Sequence, residues 1–210
     1  MCRVTMLALV LLLAGCQSAY YSAAEKVGYH KRDILVDRVE NSRDAQAEAR
    51  EQFESALEQL SSLVNFDGGD LEDAYAALAD EYRRSSNAAQ EVRQRIDDVD
   101  HVAGALFAEW EDEIEQYSSA RLQADSAAKL EATRRRYAEM LAVMRRSEAK
   151  MAPVLTAMND NVMYLKHNLN ARAVASLKVE FAAIEGQIEA LIRDMKAAIA
   201  SSDEFIESMQ

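Results

Sequence analysis

Residues 164–174 read YLKHNLNARAV, and their reading decides the fold. Upstream, apolar residues recur in alternating steps of four and three through Met158, Val162 and Leu165, and could reach Leu169 in phase. Downstream the rhythm restarts at Val174, five residues later. A helix keeps its apolar stripe on one face only while the rhythm holds, so the break marks a change of direction. Asn168 can close the first helix and Asn170 can cap the next, which predicts a tight interhelical turn. One long helix running through the stretch is the alternative.

The same rhythm defines four stripes. The first runs Leu35, Val39, Ser42, Gln46, Ala49, Phe53, Ala56, Leu60 and Leu63. It ends at VNFDGGD (64–70), where Gly68 and Gly69 break a helix and Asp70 offers an N-cap. The second runs from Leu71 through Tyr75, Leu78, Tyr82, Ser85, Ala89, Val92, Ile96, Val99, Ala103 and Leu106 to Trp110, with Glu113 interrupting it before Tyr117. A loop is expected near 118–124, with Asp125 or Ser126 as the cap. The third is read as Leu130, Arg134, Tyr137, Leu141, Met144, Glu148, Met151, Leu155, Met158, Val162 and Leu165. The fourth is Val174, Leu177, Phe181, Ile184, Ile188, Leu191, Met195, Ala198, Ser202, Phe205 and Met209.

These stripes predict an all-α protein: an elongated antiparallel four-helix bundle or coiled coil, with helices over about 20–64, 70–117, 125–167 and 171–208. At 1.5 Å per residue each helix spans roughly 50–70 Å, and short connections favour antiparallel neighbours. The charged stripe residues Glu113, Arg134 and Glu148 are expected to set register, with an oligomer surface as the alternative. Pro153, off the stripe, is expected to bend the third helix without ending it.

Composition agrees. The 210 residues include one proline and six glycines, half are apolar and 29% are charged. That apolar content argues against disorder, and no stretch alternates with the two-residue period of a strand.

The N-terminus reads MCRVTMLALVLLLAGC. Arg3 and the apolar run from Met6 to Ala14 have the form of an export signal, too short to span a bilayer. Leu13-Ala14-Gly15-Cys16 resembles a bacterial lipobox, in which cleavage precedes the cysteine and its sulfur is diacylated. The expected organisation is a signal peptide over 1–15, a lipidated Cys16 with a short tether over 16–19, and one helical domain over 20–210. Each buried methylene contributes about 0.8 kcal/mol, so a diacylglyceryl group and an N-acyl chain on Cys16 would hold the protein at the membrane. Gln17, a non-aspartate after the cysteine, favours the outer membrane by analogy with lipoprotein sorting in enteric-type bacteria. Removing residues 1–15 takes away Arg3 and no acid, which moves the net charge from −12 to −13. Such a charge disfavours nucleic acid as a partner and gives no polybasic membrane face.

Chemistry-bearing patterns are sparse. His30, His101 and His167 lie far apart in the expected bundle, and the Asp98–His101 pair stands alone where a di-metal bundle needs two Glu-x-x-His motifs. No HExxH, phosphate loop or nucleophile elbow occurs. Met140, Met144, Met151, Met158 and Met163 suggest soft-metal binding only superficially, since three of them repeat every seven residues on the stripe and read as core. The acids of DGGD, with Glu72 and Asp73, lack the spacing of a calcium loop and fit a capped helix start. The runs His30–Arg32, Arg134–Arg136 and Arg145–Arg146 are expected to pair with acids on other helices. No catalytic, cofactor or metal residue is assigned, and the chain is read as a non-enzyme.

Three stretches, YHKRDILVDRV (29–39), VNFDGGDLE (64–72) and LKHNLNARAVASLK (165–178), resemble an uncharacterised family of proteobacterial lipoproteins known only as a domain of unknown function. The resemblance spans the mature chain and implies a helical lipoprotein. It brings no catalytic or ligand residue with it.

The functional expectation is a lipid-anchored, periplasm-facing helical scaffold or interaction module that contacts another envelope protein and could self-associate. Its membrane-distal turns form the candidate partner surface: Asp67, Asp70, Glu72, Asp73, Lys166, His167 and Arg172, with charge pairing expected between the two turns. A carrier holding an apolar ligand among Tyr75, Tyr82, Trp110, Tyr137 and the methionines is the second reading. A metal-dependent enzyme is the third.

Overall fold

The computed structural model describes residues 31–65, 68 and 70–210. Cys16, Asp67, His30, the signal segment, the tether and the start of the first expected helix lie outside the described residues. The described residues form four α-helices and no strand: α1 (Lys31–Val64), α2 (Leu71–Glu115), α3 (Ala120–His167) and α4 (Ala171–Met209).

Each helix packs on two neighbours, in the cyclic order α1, α2, α3, α4 and back to α1. Side-chain pairs give the direction at every corner. Lys31 and Ser55 of α1 meet Glu109 and Glu81 of α2, so later residues of one helix face earlier residues of the other. Arg93 and Glu111 of α2 meet Glu148 and Arg134 of α3. Tyr137 and Lys150 of α3 meet Phe205 and Asp194 of α4, and Arg43 and Glu54 of α1 meet Asp203 and Lys196 of α4. All four corners are antiparallel, so this is an up-down-up-down four-helix bundle. Across the diagonal, Ser42 Oγ of α1 reaches Met144 Sδ of α3 at 4.0 Å.

The turns follow from local chemistry. Gly68 has φ +149°, a conformation that favours glycine, between the end of α1 and the start of α2. Asp70 caps α2 by accepting the Glu72 N–H at 2.8 Å. Residues 168–170 are the whole connection between α3 and α4. The Asn168 side chain donates to the Tyr164 carbonyl at 2.9 Å, and Asn170 Oδ1 accepts from the N–H groups of Arg172 and Ala173 at 3.1 Å each. Residues 168–170 are therefore a turn, and the single long helix is excluded.

One boundary differs. The loop expected over 118–124 is only residues 116–119, and α3 starts five residues before the expected 125. Ser119, not Asp125 or Ser126, is the N-cap; its Oγ accepts from Leu122 N–H at 3.4 Å. Gln123 then donates to the Ile114 carbonyl at 3.2 Å, satisfying an acceptor at the end of α2.

The core agrees with the stripes in α1, where all nine expected residues are buried, and in α4, where only Phe181 is half-buried. In α3 one of the two alternating positions is displaced. The buried line is Leu130, Thr133, Tyr137, Met140, Met144, Ser147, Met151, Val154, Met158, Asn161 and Leu165. Arg134, Leu141, Glu148, Leu155 and Val162, expected inside, are each one residue later and lie at the rim. The physical reason is ambiguity of phase: steps of three-four and four-three share every seventh residue, and both lines hold apolar side chains. The observed choice puts Ser147 and Asn161 inside and leaves Arg134 and Glu148 able to reach charged partners. Pro153 is exposed, and α3 continues through it.

Candidate functional site

Ion pairs join neighbouring helices along the rim. Arg134 and Glu148, off the core line, bond across to Glu111 and Arg93 of α2 at 2.6 and 2.7 Å, and Arg145 bonds to Asp97 at 2.7 Å. The Arg134 guanidinium also lies 5.5 Å from the Phe107 ring centroid. Its hydrogen bond holds the Glu111 carboxyl below the usual carboxylate range. The expected pairing of the arginine runs with acids of other helices is made by Arg134 and Arg145, while Arg135, Arg136 and Arg146 make no ion pair among the described residues. Arg134 and Glu148 thus pair at the edge of the core rather than within it, and Glu113 makes no ion pair among the described residues.

Sequence reasoning missed one buried charge. Glu81 of α2 is 7% exposed and occupies the core-facing place expected of Tyr82. Gln52 Nε2 donates to it at 2.5 Å, Ser55 Oγ at 3.0 Å, and Arg84 pairs with it along α2. A carboxylate at such a site is tolerable only with this full set of donors. Nothing in the local sequence distinguishes Glu81 from the surface acids around it.

The bundle's centre is also partly polar. Gln46 is fully buried, and neither end of its amide has a hydrogen-bond partner among the described residues; the same holds for the hydroxyls of Ser85 and Ser147. Four methionines, Met140, Met144, Met151 and Met158, fill the core line of α3, whereas Met163 is 51% exposed. Among the described residues, no group of three or more His, Cys, Asp or Glu side chains gathers to hold a metal.

The expected partner surface lies at one end. The α1–α2 and α3–α4 turns share the end opposite the start of α1, as the four antiparallel corners require. Asp70, Glu72, Asp73, Lys166, His167 and Arg172 are all exposed there. The expected charge pairing between the two turns is not formed among the described residues: no ion pair joins those three acids to those three bases. Asp70 instead directs its carboxylate at the backbone of its own helix. The sequence did not reveal what accompanies the bases. Met163, Tyr164 and Leu169, all exposed, lie at or just before the α3–α4 turn, and Val179, 78% exposed, stands more than two turns up α4.

The four aromatics considered for a ligand chamber do not converge. Tyr137 is buried against Phe107 and Phe205, while Tyr75 and Tyr82 pack on the margin of the core. Trp110 lines a cleft at the end where α1 begins.

Fold and site together define an all-α, four-helix bundle protein with a packed core, an ion-paired rim and two chemically distinct ends. The chain belongs to the family described as Protein of unknown function (DUF2959), which matches residues 20–209. No curated protein and no solved structure matches it.

Proposed function

We propose that the protein is a lipid-anchored helical scaffold of the bacterial envelope, held at the outer membrane through Cys16 and facing the periplasm. Its free tip engages another envelope protein. The observation that carries this reading is the exposed apolar side chains at the α3–α4 turn, Met163, Tyr164 and Leu169, set beside Lys166, His167 and Arg172. Apolar anchors rimmed by polar and charged groups suit a protein partner, because desolvating the aromatic and aliphatic groups supplies affinity while the charges supply orientation. The anchor reading rests on the residues 13–16 lipobox. No helix among the described residues is long and apolar enough to cross a membrane.

Two measurements test it. A photo-crosslinking residue at Lys166 in intact cells is expected to give one discrete adduct that Tyr164→Glu abolishes, while the same probe at Arg95 gives none. An adduct insensitive to Tyr164→Glu would remove the tip from the proposal. Cys16→Ser is expected to move the protein from the membrane fraction to the soluble one, and retention at the membrane would remove the anchor.

A further inference from the structure

The cleft at the opposite end draws on all four helices. Leu106 and Trp110 of α2 and Met209 of α4 give it an apolar floor, and Arg32 of α1, Arg136 of α3 and Glu113 of α2 stand on its rim. Its volume is about 520 Å³, inside the ~300–1,000 Å³ range of small-molecule sites. The Trp110 indole N–H donates to Ser126 Oγ at 2.9 Å, which satisfies the ring's one polar group and fixes the ring as wall.

The rim charges are not equivalent. Lys129 pairs with Asp125 at 2.9 Å, and Lys31 pairs with Glu109 at 2.5 Å. Arg32 and Arg136 have no ion pair among the described residues, and neither has Glu113, so the unpaired rim carries two guanidinium groups against one carboxylate. With Lys31 counted against Glu109, the cleft carries one net positive charge in a chain of net charge −12. A guanidinium matches a carboxylate through two parallel N–H···O bonds.

We infer that this cleft binds a long-chain carboxylate, with the acyl chain against Leu106, Trp110 and Met209 and the head group held by Arg32 and Arg136. The site does not depend on the tip or on lipidation of Cys16, so it stands or falls separately from the proposed scaffold role.

Trp110 is the chain's single tryptophan and reports the cleft directly. The full-length chain carrying Cys16→Ser, which removes its own acyl chains from competition, is titrated with dibrominated stearate and, separately, with dibrominated stearyl alcohol. Saturable quenching of Trp110 is expected at lower concentration for the carboxylate. The double variant Arg32→Gln, Arg136→Gln should weaken the carboxylate roughly tenfold or more, the factor for losing charge-assisted hydrogen bonds, and leave the alcohol unchanged. Helical circular dichroism confirms that the variant is folded. A binding curve for the carboxylate that matches the alcohol, or that the double variant does not move, would overturn the assignment. So would an absence of quenching by either probe.

Discussion

The Tyr137 hydroxyl of α3 donates to the Asp100 carboxylate of α2 at 2.7 Å, while the Tyr137 ring meets Phe107 and Phe205 edge-on at centroid distances of 5.3 and 6.2 Å. One side chain thereby ties three helices, with its apolar body in the core and its polar tip at the rim. Burial, and then the bond to Asp100, push the phenol well above its ordinary value. Because the folded-state value is raised, the associated stability is fully present below the unfolded phenol's value of about 10 and is lost as pH rises through the folded one. Tyr137→Phe is expected to cost about 0.5–2 kcal/mol near pH 7, the net value of one hydrogen bond to a charged acceptor. The variant should also show a shallower loss of stability than the parent above pH ~10. Urea unfolding at a series of pH values measures both.

The displaced core line of α3 gives a direct comparison of neighbours. Met140 is 1% exposed and Leu141 is half-buried. Met140→Ala should cost about 2–5 kcal/mol, and Leu141→Ala should cost clearly less, since a partly exposed side chain loses less burial and leaves no closed cavity. Chemical denaturation of the two variants in parallel decides it; the reverse order would restore the line read from sequence.

Gln46 is the opposite case, a buried polar group without partners. Gln46→Met keeps the volume and removes the desolvation cost of the amide. The expected gain is about 1–3 kcal/mol in unfolding free energy, by the asymmetry between unmade and replaced hydrogen bonds. If the gain appears together with a mixed oligomeric state in light scattering, Gln46 contributes register as well as cost.

The tightest turn hangs on one side chain. Asn170 Oδ1 accepts two backbone N–H groups of α4, so Asn170→Ala should cost about 0.5–2 kcal/mol, whereas Asn170→Asp should be nearly neutral. Hydrogen exchange at Arg172 and Ala173 should quicken in the alanine variant and not in the aspartate one.

The four helices, the two asparagines of the α3–α4 turn and the Asp70 cap were all legible, because helix periodicity and capping depend on residues within a turn or two of one another. Most of the α1 stripe was readable for the same reason: Val39, Phe53 and Leu60 have no apolar neighbour one position away. In α3 the pairs Met140/Leu141 and Val154/Leu155 are both apolar, so local pattern could not choose between them. The α2–α3 junction was misplaced because Ser119 and Gln123 act through contacts with specific backbone groups rather than through composition.

By itself, then, the sequence determined the helical class, the four helices of the described residues with the approximate positions of the turns between them, and the N-terminal motif on which the anchor proposal rests. The phase of α3, the burial of Glu81 beneath Gln52 and Ser55, the apolar margin of the α3–α4 tip and the cleft joining Arg32, Trp110, Arg136 and Met209 were decided only by tertiary structure. Periodicity is a property of one helix, whereas each of these depends on which faces of two or more helices meet.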